Sequence, residues 1–278
     1  TLHRRAAHGG VHAGMRATLD GLPRPKSQLP GIVWPAVMSG EPAVVFALLA
    51  QLQQSEWLTP GALDALQRRQ RDALLAHARN TVPHYSDLPA WDDAWSALPV
   101  LERPTVQAAG SRLRSAATPK AHGTWQIVRT SGSTGQPVEV EKTAYTGVLT
   151  KALMLREHLW HRRDFARRLA AIRVAKQVPE AQRLPGIEGA GWGAETAMLE
   201  MDGRGALLDL AVPLGDQCAW LAQQAPAYLL TYPSNLKALL GHGLEPWPGL
   251  VHVKTLGEMV DDELRLRCRT QLGVPLID

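Results

Sequence analysis

The stretch TSGSTGQPV at 130–138 combines hydroxyl side chains, glycines and a proline, and it carries no charge. Two kinds of structure ask for such a composition. A tight turn needs glycine where φ is positive and proline where the exit direction must be set. A phosphate cradle needs the same glycines, because successive backbone N–H groups converge on an anion only where no side chain blocks the approach. In a cradle, Gly132 and Gly135 would admit the close approach, Ser131, Ser133 and Thr134 would add hydroxyls, and Pro137 would fix the exit. The nucleotide loop G-x-x-x-x-G-K-[ST] is absent: no lysine follows the second glycine, and the next segment alternates like a strand instead of opening a helix. On chemistry alone the string fits an ordinary hairpin loop as well as a cradle.

Either role requires stiff flanks. WQIV before the loop and EVEKT after it read as strands, followed by a helix over about 144–163. RLAAIRVA at 168–175 reads as a buried strand, and 176–205, rich in Gly, Pro and Glu, as a long irregular loop or lid. Beyond it, helix 217–224, strand AYLLTYP, helix 234–241, strand VHVKTLGE, helix 261–272 and strand VPLID alternate with short joins. That alternation predicts a parallel sheet with helices on its faces. Upstream, 41–57 has helical character. A second helix is capped by Thr59, accepts Pro60 in its first turn, shows an apolar face of Leu63, Leu66, Leu74, Leu75 and Ala78, and stops before Pro83. LPVLERPTV and TPKAHGT are connectors around a short helix. The expected layout is a loose N-terminal arm over 1–40, a mainly helical part over 41–120 and an α/β part over 121–278.

Composition narrows the function classes. At 278 residues, 45% hydrophobic and 20% charged, the chain can bury a substantial core. A net charge of +4 is too small and diffuse to argue for nucleic acid. The longest apolar run, PAVVFALLA, falls far short of the roughly 20 residues of a membrane span. No apolar region follows the basic first residues, so a signal peptide is not expected and the cytoplasm is. Cys218 and Cys268 make no disulfide framework and read as fillers of helix faces. His158 and His161 stand one helical turn apart, but no third ligand is evident and no metal site is expected. The cluster HRRDFARR reads as a solvated helix end, with docking of anionic ligands as the rival reading. Asp261 and Asp262 read as the first turn of a helix.

The exact string carries more than its chemistry. TSGSTGQP resembles the phosphate loop of the adenylate-forming superfamily of acyl- and aryl-CoA synthetases, T-S-G-[ST]-T-G-x-P, at all eight positions. Val138 stands where many members have lysine, which resembles the phenylacetate–CoA ligase-like branch. LLAHARNTVPHYSDL, LPVLERPTV, TYPSNLKALL and TLGEMVDDELRLRCRTQLGVPLID are similar to segments of that branch in the same order, so the resemblance covers roughly 63–278. It implies that Thr130, Ser131, Gly132, Ser133, Thr134 and Gly135 grip the ATP phosphates. Gly257 and Glu258 fall where the family has its adenine pocket, and Tyr232, Pro233 and Ser234 fall near its acyl pocket. It also implies Mg²⁺, coenzyme A or a carrier protein as acceptor, and a carboxylic acid, aromatic by family weighting, as substrate. A homodimer is left open. The chain ends directly after an apolar strand, before the family's acidic magnesium residue and its small C-terminal domain with the adenylation lysine. The chain therefore reads as the larger part of an N-terminal domain, inactive by itself. The rival reading is a non-catalytic nucleotide-binding or scaffold derivative of the fold.

Overall fold

A computed structural model describes residues 24–86, 98–129, 137–175, 178–180 and 183–278. The chain divides into two units, Ser39–Arg156 and Thr1–Met38 with Glu157–Asp278.

In the first unit, α1 (Gly40–Ser55) precedes α2 (Pro60–Thr81), the turn-length α3 (Pro83–Ser86) and α4 (Arg103–Ala109). The Thr59 hydroxyl accepts from the Ala62 N–H at 3.3 Å and Pro60 occupies the first turn, so α2 begins where its capping residues require. Its apolar face is only partly covered by the described residues: Leu63, Leu75 and Ala78 are half-buried, Leu66 and Leu74 remain 49% and 57% exposed, and no residue of α2 is fully buried. Strands β1 (Trp125–Arg129) and β2 (Glu139–Thr143) pair antiparallel, in register from Trp125 opposite Thr143 to Arg129 opposite Glu139. Helix α5 (Ala144–Trp160) follows and ends before the expected boundary. Past Trp160 the chain turns at Arg162, which has φ 47°.

The second unit holds a sheet whose described strands run in the order β4-β5-β3-β6-β7-β8. These are β3 (Leu169–Arg173), β4 (Ile187–Ala190), β5 (Arg204–Asp209), β6 (Tyr228–Thr231), β7 (His252–Thr255) and β8 (Leu276–Ile277). All neighbours are parallel except β4, which is antiparallel to β5. Helices α6 (Leu214–Gln224), α7 (Pro233–Gly241) and α8 (Asp262–Arg267) make the crossovers, α8 running on into a π-type turn. From β5 onward each crossover steps the same way along the sheet, so α6 touches α7 and α7 touches α8 on one face. The core forms beneath them from Ala170, Ile172, Leu208, Leu221, Leu229, Leu236, Leu239, Val253, Leu264 and Cys268. Burial among these side chains pushes the Cys268 thiol up to about 11, consistent with a filler and not a nucleophile.

Two expectations need correction. The segment expected as a loop or lid contains β4 and the start of β5. Its glycines serve close packing: a Cβ on Gly205 would stand 2.4 Å from the Gly191 carbonyl oxygen. The expected solvated end HRRDFARR is in part internal. Arg163 is buried, Arg167 donates to the Gly249 carbonyl at 2.6 Å, and Arg168 pairs with Glu188 at 3.0 Å.

Candidate functional site

Residues 130–136, the heart of the expected phosphate loop, lie outside the described residues. Their flanks are described. The hairpin register closes on Arg129 and Glu139, joined by an ion pair at 2.8 Å, so the glycine-rich string connects two paired strand ends. Arg114 adds pairs to Glu139 at 3.4 Å and to Glu141 at 3.1 Å. An open cavity of about 570 Å³ lies against the hairpin, lined by residues that include Leu101, Val106, Trp125, Pro137 and Val138. Of these charged residues Arg114, Glu139 and Glu141 line the cavity, so this wall by itself gives an anion no net attraction.

In the second unit, the remaining expected site residues come together by topology. In an open α/β sheet, ligands bind outside the carboxyl ends of the strands, where the strand order reverses. Here the order reverses at β3: the chain passes from β3 to β5 on one side and returns to β6 on the other. Tyr232, Pro233 and Ser234 follow β6 directly, and Gly257 and Glu258 follow the adjacent β7. Both Glu258 carboxylate oxygens are engaged: Oε2 accepts from the Ser234 N–H at 2.8 Å and Oε1 from the Ser234 hydroxyl at 2.9 Å. Gly257 has φ +80°, and a Cβ there would meet the Tyr232 ring at 3.6 Å. The two strand-end loops are thus joined side by side.

A buried polar brace missed by sequence reading stands behind them. Asn235 Nδ2 donates to Thr231 Oγ1 and to Gln217 Oε1, both at 3.0 Å. Gln217 Nε2 in turn donates to the Val212 carbonyl at 2.7 Å and the Leu210 carbonyl at 3.2 Å. All three side chains are buried and their partners hold them in one arrangement, which fixes the exit of β6. Only the i, i+4 spacing of Thr231 and Asn235 hints at it in sequence.

A second polar cluster lies at the opposite, amino ends of the strands. The buried Arg163 guanidinium donates to His158 Nδ1 at 2.8 Å, to His252 Nε2 at 3.0 Å and to Glu157 at 3.0 Å, and Lys254 also pairs with Glu157. Burial pushes the Glu157 carboxyl up, but the bonds and charges of Lys254 and Arg163 outweigh it and hold it below its usual range. Both histidines accept from a fixed cation, so they are neutral. Burial first, then Arg163, lowers His158 to about 3 and His252 to about 4. Among the described residues His158 Nε2 has no hydrogen-bond partner, and its ring packs edge-on to Trp192 at 5.2 Å. The arrangement of internally satisfied charges is a strut for the fold.

This cluster makes stability depend on pH. In the unfolded chain each histidine titrates near pH 6.5, whereas in the folded chain it takes up its proton only near pH 3 or 4. Below pH 6.5 the unfolded state therefore binds more protons, and stability falls as pH falls. The expected loss is up to about 1.4 kcal/mol per pH unit per histidine across that window. Urea unfolding at pH 7.5, 6 and 5 checks it, and the slope is expected to shrink when His158 and His252 are replaced together.

The chain, with strand-end loops at the order reversal of its parallel sheet, has the fold of part of a solved CoA ligase. The solved structures it matches include 2-hydroxyisobutyryl-CoA ligase in an open conformation with 2-HIB-AMP and CoA, at TM-score 0.58 and 14% identity over 79% of this chain and 53% of that one. The same ligase in its thioesterification state, with 2-HIB-AMP and CoA, matches at TM-score 0.57 and 15% identity over 79% and 49%. In its postadenylation state with 2-HIB-AMP it matches at 0.57 and 15% over 79% and 48%. The chain spans about half the length of these structures. No protein-family model matches the chain, and no curated protein matches it. Among the described residues no helix is long and apolar enough to cross a membrane.

Proposed function

We propose that the protein carrying this chain activates a carboxylic acid with ATP and passes the acyl group to the thiol of coenzyme A. A substrate carboxylate oxygen attacks the α-phosphorus and pyrophosphate leaves, forming an acyl adenylate. The thiolate then attacks the acyl carbon and AMP leaves. The observation that carries this reading is the string TSGSTGQP, bracketed by the paired ends of β1 and β2, in a chain with the fold of ligases that bind an acyl-AMP and CoA.

The work of such a site is positioning and charge stabilisation, not covalent chemistry. Thr130, Ser131, Gly132, Ser133, Thr134 and Gly135 would grip the phosphates with backbone N–H groups and hydroxyls. The segment of Gly257 and Glu258 would lie on the adenine side of the pocket, with Tyr232, Pro233 and Ser234 toward the acyl group. Among the described residues no group of three or more His, Cys, Asp or Glu is placed to hold a metal ion. Mg²⁺ would enter with ATP and neutralise its phosphates. Val138 in the lysine position supports the phenylacetate–CoA ligase-like branch, and with it an aromatic acid.

The test is ATP–pyrophosphate exchange by the full-length protein across a broad panel of carboxylic acids. Acid-dependent exchange is the expected result. Exchange at background for every acid would leave a non-catalytic nucleotide-binding protein. Exchange without thioester formation from coenzyme A would point to a carrier-protein phosphopantetheine as acceptor.

A further inference from the structure

We infer that Glu258 is a positioning residue that acts through Ser234, not a group that reads the nucleotide base; this rests on the acid-activation reading. The two Glu258–Ser234 hydrogen bonds tie loops whose residues are 24 apart in sequence but leave adjacent parallel strands. Ser234 N–H is among the first donors of α7, which have no acceptor within the helix, so a carboxylate there also complements the positive helix end.

The two sides of this clasp differ in rigidity. Ser234 sits between Pro233, whose φ is fixed by its ring, and Asn235, locked by Thr231 and Gln217. Among the described residues the loop after β7 has a backbone tie, Leu256 N–H to the Thr231 carbonyl at 3.2 Å, but no buried side-chain brace like that of Asn235. Glu258 is exposed, and the next residue, Met259, is 94% exposed. The clasp therefore transmits the position of the braced turn to the looser one. Its geometric consequence is the register of Gly257 against the Tyr232 ring, where a Cβ on Gly257 would stand 3.6 Å from Cε1 and 3.7 Å from Cδ1. A nucleotide approaching there meets a pre-set edge made by Tyr232 and Gly257 together. Without the clasp, binding would have to order the β7 loop first, and affinity would fall while the bond-making step kept its geometry.

The test uses the full-length protein, with MgATP in the exchange assay and AMP in calorimetry. Glu258→Ala is expected to raise the KM for ATP and the Kd for AMP about tenfold, the scale of a lost pair of charge-assisted hydrogen bonds at an exposed site, with kcat changed less than about threefold. Glu258→Gln keeps an acceptor for the Ser234 N–H and a donor for its hydroxyl, and is expected to restore affinity to within about threefold of the unmutated protein. Ser234→Ala should fall between the two, and adding it to Glu258→Ala should weaken binding no further. If Glu258→Gln binds as weakly as Glu258→Ala, the charge itself meets the ligand and the inference is overturned. Unchanged affinity in Glu258→Ala overturns it as well. Should the unmutated protein bind neither AMP nor ATP, the activation reading falls and takes this inference with it, an outcome visible before any variant is made. Melting by circular dichroism separates folding loss from binding loss, and Ser234→Ala supplies the same comparison if Glu258→Ala does not fold.

Discussion

Replacing Arg163 with methionine is expected to lower the unfolding free energy by about 3–5 kcal/mol at pH 7.5, the range found when one partner of a buried charged network is removed. Arg163 is 6% exposed, and its guanidinium is the donor to two buried imidazole nitrogens and to Glu157. Methionine fills similar volume without any donor, so the variant isolates the polar loss from a cavity. His158 Nδ1 and His252 Nε2 would then be buried acceptors without this partner, each costing about 1–3 kcal/mol. Glu157 would keep Lys254, which holds the total below the sum of its parts.

The pH dependence distinguishes this account from a general packing defect. Arg163 is among the causes that depress both histidines, whereas Glu157 acts to raise them. Without the guanidinium the histidines can take up a proton at higher pH and pair with Glu157. The variant's deficit should therefore shrink between pH 7.5 and pH 5, while a packing defect would stay constant. Urea unfolding followed by tryptophan fluorescence is a direct readout, because Trp192 packs against the His158 ring.

The second large effect is on function. Gly132→Val is expected to lower acid-dependent ATP–pyrophosphate exchange by at least about 100-fold, with the melting temperature unchanged within a few degrees. A β-branched side chain at a glycine that must admit a phosphate displaces the anion from its backbone donors, and a displacement of about 1 Å can cost that factor. The string has no charged side chain to compensate. Unchanged ATP affinity in this variant would make the loop an ordinary turn.

Several elements were legible because their causes are local. Thr59 with Pro60 marks the start of α2, and the Asp261 carboxylate accepts from the Leu264 N–H at 2.7 Å to cap α8, as the acidic first turn suggested. The strands β3, β6 and β7 and the helices between them stood out as apolar runs separated by breakers. The expected adenine and acyl segments do follow adjacent strands, since strand ends can be read from the same runs. What was missed depends on distant chain. β4 and the first two residues of β5 fell in a segment read as a loop because it is rich in Gly, Pro and Glu, yet Gly205 is there because the Gly191 carbonyl leaves no room for a side chain. Arg163 looked like a solvated cation because nothing near it in sequence reveals His252, 89 residues away.

Three of the nine tryptophans have a role that only the folded chain reveals. Trp192, Trp220 and Trp247 each use the indole N–H to bond a loop carbonyl, of Arg167, Pro185 and Pro226 respectively. Phenylalanine would fill the space and leave the carbonyl unbonded.

By itself the sequence determined the order of most strands and helices, the caps of α2 and α8, and the string TSGSTGQP with the chemistry its glycines and hydroxyls permit. Those properties follow from steric and hydrogen-bonding preferences acting over a few neighbouring residues. The tertiary structure alone decided which strand lies beside which, and so brought Glu258 to Ser234, Asn235 to Gln217 and Arg163 to two histidines. Such contacts are chosen by the burial of the whole sheet, where each polar group taken from water must find a partner wherever the fold places one.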